Sequence, residues 1–262
     1  MAEKTASSKG KVDIVLLLDL TGSMQPCIEG VKANLLTFLT SLRDGLQPDA
    51  NSPKISLDGR FKVVGFRDHR ATSGANDSWF VDNPFVREAA ELQAQLNSPN
   101  MQAQGGGDEP ESLMDALYKV GAMAESSIQE GEDANKWRKG VHHCVIFFTD
   151  ASFVRPMTIP EAAGGDVQDL ANKLMESRIK MFGMAPEWNG YNELSAVPGS
   201  DIVYYIKGDA VANLGKPGPE GKAASEAAVR ALQTYAIDQN TFRKFIEQIG
   251  KSVSKQAAAE EC

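Results

Sequence analysis

Residues Val12–Met24 read V-D-I-V-L-L-L-D-L-T-G-S-M. An apolar run rich in branched side chains delivers an aspartate, and two hydroxyl residues follow it at alternate positions. Such a run reads as a strand buried on both faces, the kind found in parallel sheets covered by helices. The carboxyl ends of such strands are where open α/β sheets place their ligands. Asp19, Thr21 and Ser23 stand at that end. Their small oxygen-bearing side chains suit a hard cation such as Mg²⁺.

Strand and helix patterns alternate along the rest of the chain, which predicts an α/β fold. Ile28, Val31, Leu35, Leu39 and Leu42 recur at helical spacing, with Gly45 as a stop. Arg60–Arg67 reads as a second strand, and Ser78–Asp82 as a short aromatic strand returning antiparallel beside it at the sheet edge. Helices are expected over Glu88–Leu96 and Pro110–Glu125, the latter capped by Asp108, with Pro110 in its first turn. Val141–Phe148 is a further central strand ending in Thr149-Asp150. A helix over Val167–Ser177, a strand over Ile179–Met184, a short helix over Tyr191–Ala196 and a strand over Ile202–Ile206 complete the pattern. The expected architecture is a doubly wound, mostly parallel central sheet with one antiparallel edge strand, helices on both faces and a C-terminal helical extension. Its parts are a flexible N-terminus (1–10), the main domain (11–206), a Gly/Pro linker (207–221), the helical extension (222–256) and a frayed tail (257–262).

A net charge of −8 argues against nucleic acid and against an anionic membrane surface, both of which need a basic footprint. No stretch has the apolar length of a membrane span, and M-A-E-K-T-A-S-S-K-G-K lacks the apolar core of a signal peptide. Cys27, Cys144 and Cys262 show no metal-binding spacing. The expectation is a cytoplasmic protein.

The D-L-T-G-S of Asp19–Ser23 resembles the D-x-[ST]-x-S motif of von Willebrand factor A (VWA) domains, which carry a metal-ion-dependent adhesion site. Phe66-Arg67-Asp68-His69 looks like the F/Y-R-D-H segment closing the second strand of many bacterial and protist members. Gly105–Glu111, G-G-G-D-E-P-E, looks like their Gly-rich loop, and Phe148-Thr149-Asp150 like the strand end that supplies the last acidic residue. The resemblance implies a divalent cation, Mg²⁺ with Mn²⁺ or Ca²⁺ as substitutes, held by Asp19, Thr21 and Ser23. Asp150 matches the family's last acidic position, which acts through water or a hydrogen bond. Where many adhesive members place a threonine in the middle loop, this chain offers Asp108, either as a carboxylate ligand or as the helix cap. The resemblance also implies an intracellular interaction module, with AAA+ ATPase, kinase or phosphatase systems as partners.

Two neutral hydroxyls and one or two carboxylates leave a cation short of charge, with a position that a partner's Asp or Glu can fill. Leu20 and Gly22 alternate with the ligands and point away. Asp and Ser after a strand also serve as turn residues and caps, so the motif gains weight from its strand context and from the other three segments. His142 and His143 project to opposite faces of a strand, which argues against a shared metal. His69 is expected to make a structural hydrogen bond, and Asp68 to pair with Arg67 or Arg70. A second function is a metal-dependent phosphatase or phosphotransferase with Asp19 as nucleophile. Haloacid-dehalogenase-type enzymes carry D-x-D-x-[TV], however, and Thr21 stands where the second aspartate belongs. A third is a scaffold with a vestigial metal site that works through its C-terminal helices.

Overall fold

The computed structural model describes residues 11–45, 58–70, 78–105, 109–126 and 132–237, together with 240, 243, 244, 247, 250 and 251. Its centre is a six-stranded sheet. The strands are β1 (Lys11–Asp19), β2 (Asp58–Phe66), β3 (Phe80–Asp82), β4 (His142–Phe148), β5 (Ile179–Ala185) and β6 (Ser200–Tyr204). They lie in the order β3-β2-β1-β4-β5-β6. All neighbours are parallel except β2 and β3, which pair antiparallel with Gly65 opposite Val81. This is the expected doubly wound sheet with one antiparallel edge.

β1 shows why a continuous apolar run is needed at the centre. Val12, Ile14, Leu16 and Leu18 face one layer, where they meet Ile28, Val31, Leu35, Phe38 and Leu42 of helix α1 (Gln25–Gly45). Leu92 and Leu96 of α2 (Ala89–Leu96) join them there. Val15 and Leu17 face the opposite layer. That layer is built from α3 (Leu113–Gly121), α4 (Val167–Glu176) and α5 (Asn189–Ser195). Period-2 alternation thus supplies two cores from one strand. Cys144, Met181 and Met184 are buried apolar residues, as their strand positions suggest.

The N-terminal end of β1 carries a different kind of core. Asp13 is fully buried and accepts from Arg60 Nη2 at 2.6 Å, Arg138 Nε at 2.8 Å and the Arg138 backbone N–H at 2.8 Å. The Arg138 guanidinium also donates to the Val12 and Asp58 carbonyls, so one aspartate ties the stretch before β4 to β1 and β2.

After β6, a turn at Gly208–Val211 leads into α6 (Pro219–Ile237). Leu232 of α6 is 1% exposed and belongs to the α1 side of the core. Val211, Leu214, Ala224 and Ala228 form a small cluster against Trp188 and Ile206. Further along the expected helical extension, the described residues 240, 243, 244, 247, 250 and 251 are helical, while Phe242, Phe245, Ile246 and Ile249, and the tail with Cys262, lie outside the described residues. Among the described residues, no helix is long and apolar enough to cross a membrane.

One helix start differs from expectation. α3 begins at Leu113 with Ser112 at its N-cap, not in the turn after Asp108. Glu111 instead forms a parallel bridge with Phe153: its N–H donates to the Ser152 carbonyl (3.0 Å), and its carbonyl accepts from Val154 N–H (2.8 Å). Pairing with the segment after β4 holds Glu111 in this bridge and delays the helix.

Candidate functional site

The site forms where β1 and β4 end side by side, with Leu18 opposite Phe148. From this pair the chain winds outward in both directions, to β2 on one side and β5 on the other. Such a switch point opens a crevice at the carboxyl edge of a sheet.

Asp19 has no exposed surface. Its Oδ1 accepts from the Thr21 backbone N–H (2.9 Å) and the Thr21 hydroxyl (2.7 Å), and its Oδ2 accepts from the Thr149 hydroxyl (2.9 Å). Burial nevertheless raises its pKa, because desolvation outweighs these bonds and the Arg67 charge. Ser23 is half-buried, and its hydroxyl acts to lower the Asp150 pKa. Asp150 is 3% exposed, and its Oδ2 has no hydrogen-bond partner among the described residues. Burial and then the Asp19 charge push its pKa up to about 7.

The loops are pinned to one another. Gly22 N–H donates to the Gly105 carbonyl at 3.0 Å, and a Cβ on Gly22 would stand 3.1 Å from that oxygen. The motif's glycine therefore gives the Gly-rich loop close approach. Gln104 N–H donates to the Leu20 carbonyl at 2.9 Å, and Leu20 itself is buried in the α1 layer.

Sequence reasoning placed Asp19, Thr21, Ser23 and Asp150 together, and the fold brings these four to one locus. Asp108 lies outside the described residues. Three contributors were not singled out. Thr149 clamps Asp19, and a hydroxyl directly before the strand-end acid was the available signal. Glu109 accepts from the Ser152 backbone N–H, linking the loop before α3 to the segment after β4. Burial raises its pKa. Glu111 is 5% exposed, and its Oε2 lacks a hydrogen-bond partner among the described residues. Burial, followed by the charges of Asp19, Asp68 and Asp150, drives its pKa to about 9. Glu111 falls in the first turn of the helix expected from Pro110, and Glu109 lies between that helix and its expected cap, Asp108.

Around the rim, Asp68 pairs with Arg70 (3.1 Å) and accepts from Ser112 (3.3 Å). His69 Nδ1 lies 3.2 Å from the Thr158 hydroxyl, which donates to Asp115 at 2.8 Å. His143 is buried between the Ser177 and Arg138 carbonyls and stacks on Trp137, far in role from any metal.

The donors suit a hard divalent cation: carboxylate and hydroxyl oxygens, no sulfur, and buried acids that raise one another's pKa. Among the described residues, no three His, Cys, Asp or Glu side chains converge as a ligand set. Any cation here would rest on a mixture of carboxylates and hydroxyls rather than on a carboxylate cage.

No protein-family model matches the sequence, and neither does any curated protein. Similar solved structures include proximal thread matrix protein 1 from the mussel byssus, at 12% identity and a TM-score of 0.48, covering 94% of this chain and 46% of that one. They also include the SpRpn10 VWA domain, at 11% identity and a TM-score of 0.43, covering 80% of this chain and 92% of that one. The chain spans less than half the length of the byssus protein. The fold assignment stands on the strand order and register above.

Proposed function

We propose that this chain is a VWA-type protein-interaction module whose binding site is completed by a divalent cation, Mg²⁺ in the first instance. The observation that carries the reading is the buried Oδ2 of Asp150, which has no hydrogen-bond partner among the described residues, beside the fully buried Asp19. Two desolvated carboxylates at one locus call for a counter-charge. Bound there, the cation would supply positive charge and an open coordination position for an acidic side chain of a partner. Asp19, Thr21 and Ser23 would hold it. Thr149 fixes the Asp19 carboxylate. Gly22 lets Gly105 approach the motif closely.

Recognition rather than catalysis fits these residues. The Thr21 hydroxyl donates a hydrogen bond to Asp19, so the position that would bear a second carboxylate in a phosphotransferase serves instead to position the first. The partner is of protein class with an exposed Asp or Glu. Intracellular AAA+ ATPase, kinase or phosphatase systems remain the candidates drawn from resemblance.

Calorimetric titration of Mg²⁺ and Mn²⁺ into the chain and into Asp19→Ala tests the reading. Saturable binding by the wild type that is lost in the variant is expected. Equal binding by both, or none by either, removes the cation from the account.

A further inference from the structure

His143 is 2% exposed in β4, and each of its ring nitrogens meets a main-chain carbonyl. Nδ1 lies 2.9 Å from the Ser177 oxygen, and Nε2 lies 2.9 Å from the Arg138 oxygen. A carbonyl only accepts, so a hydrogen bond at each nitrogen needs a proton on each, which is the imidazolium form. A neutral ring carries one proton. One contact is then a hydrogen bond, and the other sets a nitrogen lone pair against an oxygen. The Trp137 ring lies over the imidazole at 4.6 Å, with the two planes 25° apart.

The surroundings pull in both directions. Two carbonyl oxygens and an aromatic face favour charge on the ring, whereas burial opposes it. Asp13 stands beside His143 in the register of β1 and β4, but its carboxylate is shared between Arg60 and Arg138. Arg138 also meets Asp58 and Glu132. In the stretch before β4, Lys136 pairs with Asp133 and Lys139 is exposed. On the other side, β5 places the uncharged Ile179 opposite His143. At the end of α4, Lys173 and Glu176 pair with each other, and Arg178 follows Ser177. On α3, Lys119 pairs with Glu161. The ring thus bonds to carbonyls rather than to any of these acids.

We propose that His143 is a proton-operated fastener between Arg138 and the turn that joins α4 to β5. With two ring protons it holds both carbonyls, and with one it releases the less firmly anchored of them. Arg138 is also held by Asp13, which accepts from its backbone N–H and its guanidinium at 2.8 Å each. The Ser177 stretch is held more lightly. Its hydroxyl donates to the Gly121 carbonyl, and Arg178 beside it stands at φ 52°, in the left-handed region that non-glycine residues rarely adopt. Release therefore loosens the α4–β5 turn. Histidine ordinarily changes charge between about pH 5 and 8, so the turn is tight in acid and looser above. The fastener sits at the opposite end of β1 from Asp19 and does not depend on the cation reading.

The test follows the ring nitrogens of the ¹⁵N-histidine-labelled chain by NMR from about pH 5 to about pH 9. The 3 histidines are told apart with His69→Gln and His142→Gln. Hydrogen exchange at the Arg178 and Ile179 amides is recorded in the same samples and in His143→Gln, which cannot titrate. His143 is expected to carry two ring protons at low pH and one at high pH. As the proton leaves, exchange at the two amides should rise about fivefold beyond the intrinsic rate, the effect of one lost hydrogen bond. His143→Gln is expected to show no such step. A ring that keeps one proton, or two, across the whole range overturns the proposal. So does exchange that ignores the titration, or the same step in His143→Gln. Where that variant does not fold, the wild-type ring signals and exchange decide by themselves.

Discussion

The Thr149 hydroxyl reaches across the β1–β4 junction to Asp19 Oδ2 at 2.9 Å, joining residues 130 positions apart in the chain. Asp19 thereby has both carboxylate oxygens engaged, one by the turn that follows it and one by the neighbouring strand. Thr149→Val keeps the shape and removes the donor, leaving a buried carboxylate oxygen unpartnered. A loss of about 1–3 kcal/mol is expected in urea unfolding. The same substitution in an Asp19→Asn background should cost less, and additive losses would show that the two side chains do not act together.

The raised acids set the pH response. Glu111 at about 9 and Asp150 at about 7 lie well above the unfolded-state values of about 4. The folded state therefore binds more protons than the unfolded one between these limits. Their contribution to stability is full below about pH 4 and is lost as pH rises through 7 and then 9. In cation-free buffer, Tm should fall from pH 5 to pH 9, with a shallower fall in Glu111→Gln. Lys62, whose pKa burial lowers, slopes the other way at the alkaline end, so the comparison between the two proteins is the informative quantity. Saturating Mg²⁺ should flatten the wild-type curve. Parallel slopes for the two proteins would remove Glu111 as a cause.

At the other end of β1, Asp13 pairs with two buried guanidiniums, of which Arg138 also meets Asp58 and Glu132. Asp13→Ala would strip Arg60 of that carboxylate and leave Arg138 to Asp58 and Glu132, at an expected cost of about 3–5 kcal/mol in denaturant unfolding. The site lies about 20 Å away along the strand, so Mg²⁺ affinity of the folded fraction should not change. A parallel loss of affinity would mean the two ends of β1 are mechanically linked.

Gly65 links packing to the site. A Cβ there would stand 2.3 Å from Leu20 Cδ1, and Leu20 sits between Asp19 and Thr21. Gly65→Ala should cost about 1–3 kcal/mol by overpacking and also weaken Mg²⁺ binding by displacing Leu20. Lost stability with unchanged affinity would show that Leu20 yields without moving its neighbours.

Leu232 tests how firmly α6 is docked. Its side chain is 1% exposed in the α1 layer, so Leu232→Ala should lower unfolding free energy by about 2–5 kcal/mol in a single transition. A smaller effect, or a separate early transition, would make α6 an independent appendage.

Much of this was legible from residues alone, and the misses share a cause. The strands were visible because each central one is apolar on both faces and ends in polar turn residues. The Asp19–Ser23 motif was visible because its spacing is local. Glu109 and Glu111 were misread because D-E-P-E satisfies a helix-start pattern by itself. The long-range bridge between Glu111 and Phe153 keeps Glu111 out of the helix. The Thr149–Asp19 bond was hidden for the same reason: nothing near either residue announces a partner on another strand. The Asp13–Arg60–Arg138 network likewise joins side chains far apart in the chain, and nothing beside any one of them names its partners.

The register of β1 against β4 has a consequence for the order of assembly. β1 lies beside β2, its next strand in the chain, on one edge and beside β4, far along the chain, on the other. Loop closure over so long a stretch is slow compared with local pairing. The first half of the chain, emerging alone, holds Asp19, Thr21 and Ser23 but neither Thr149 nor Asp150. Competence to take up an ion should therefore appear late in refolding, after β4 has docked, and a truncated or nascent fragment should be blind to Mg²⁺.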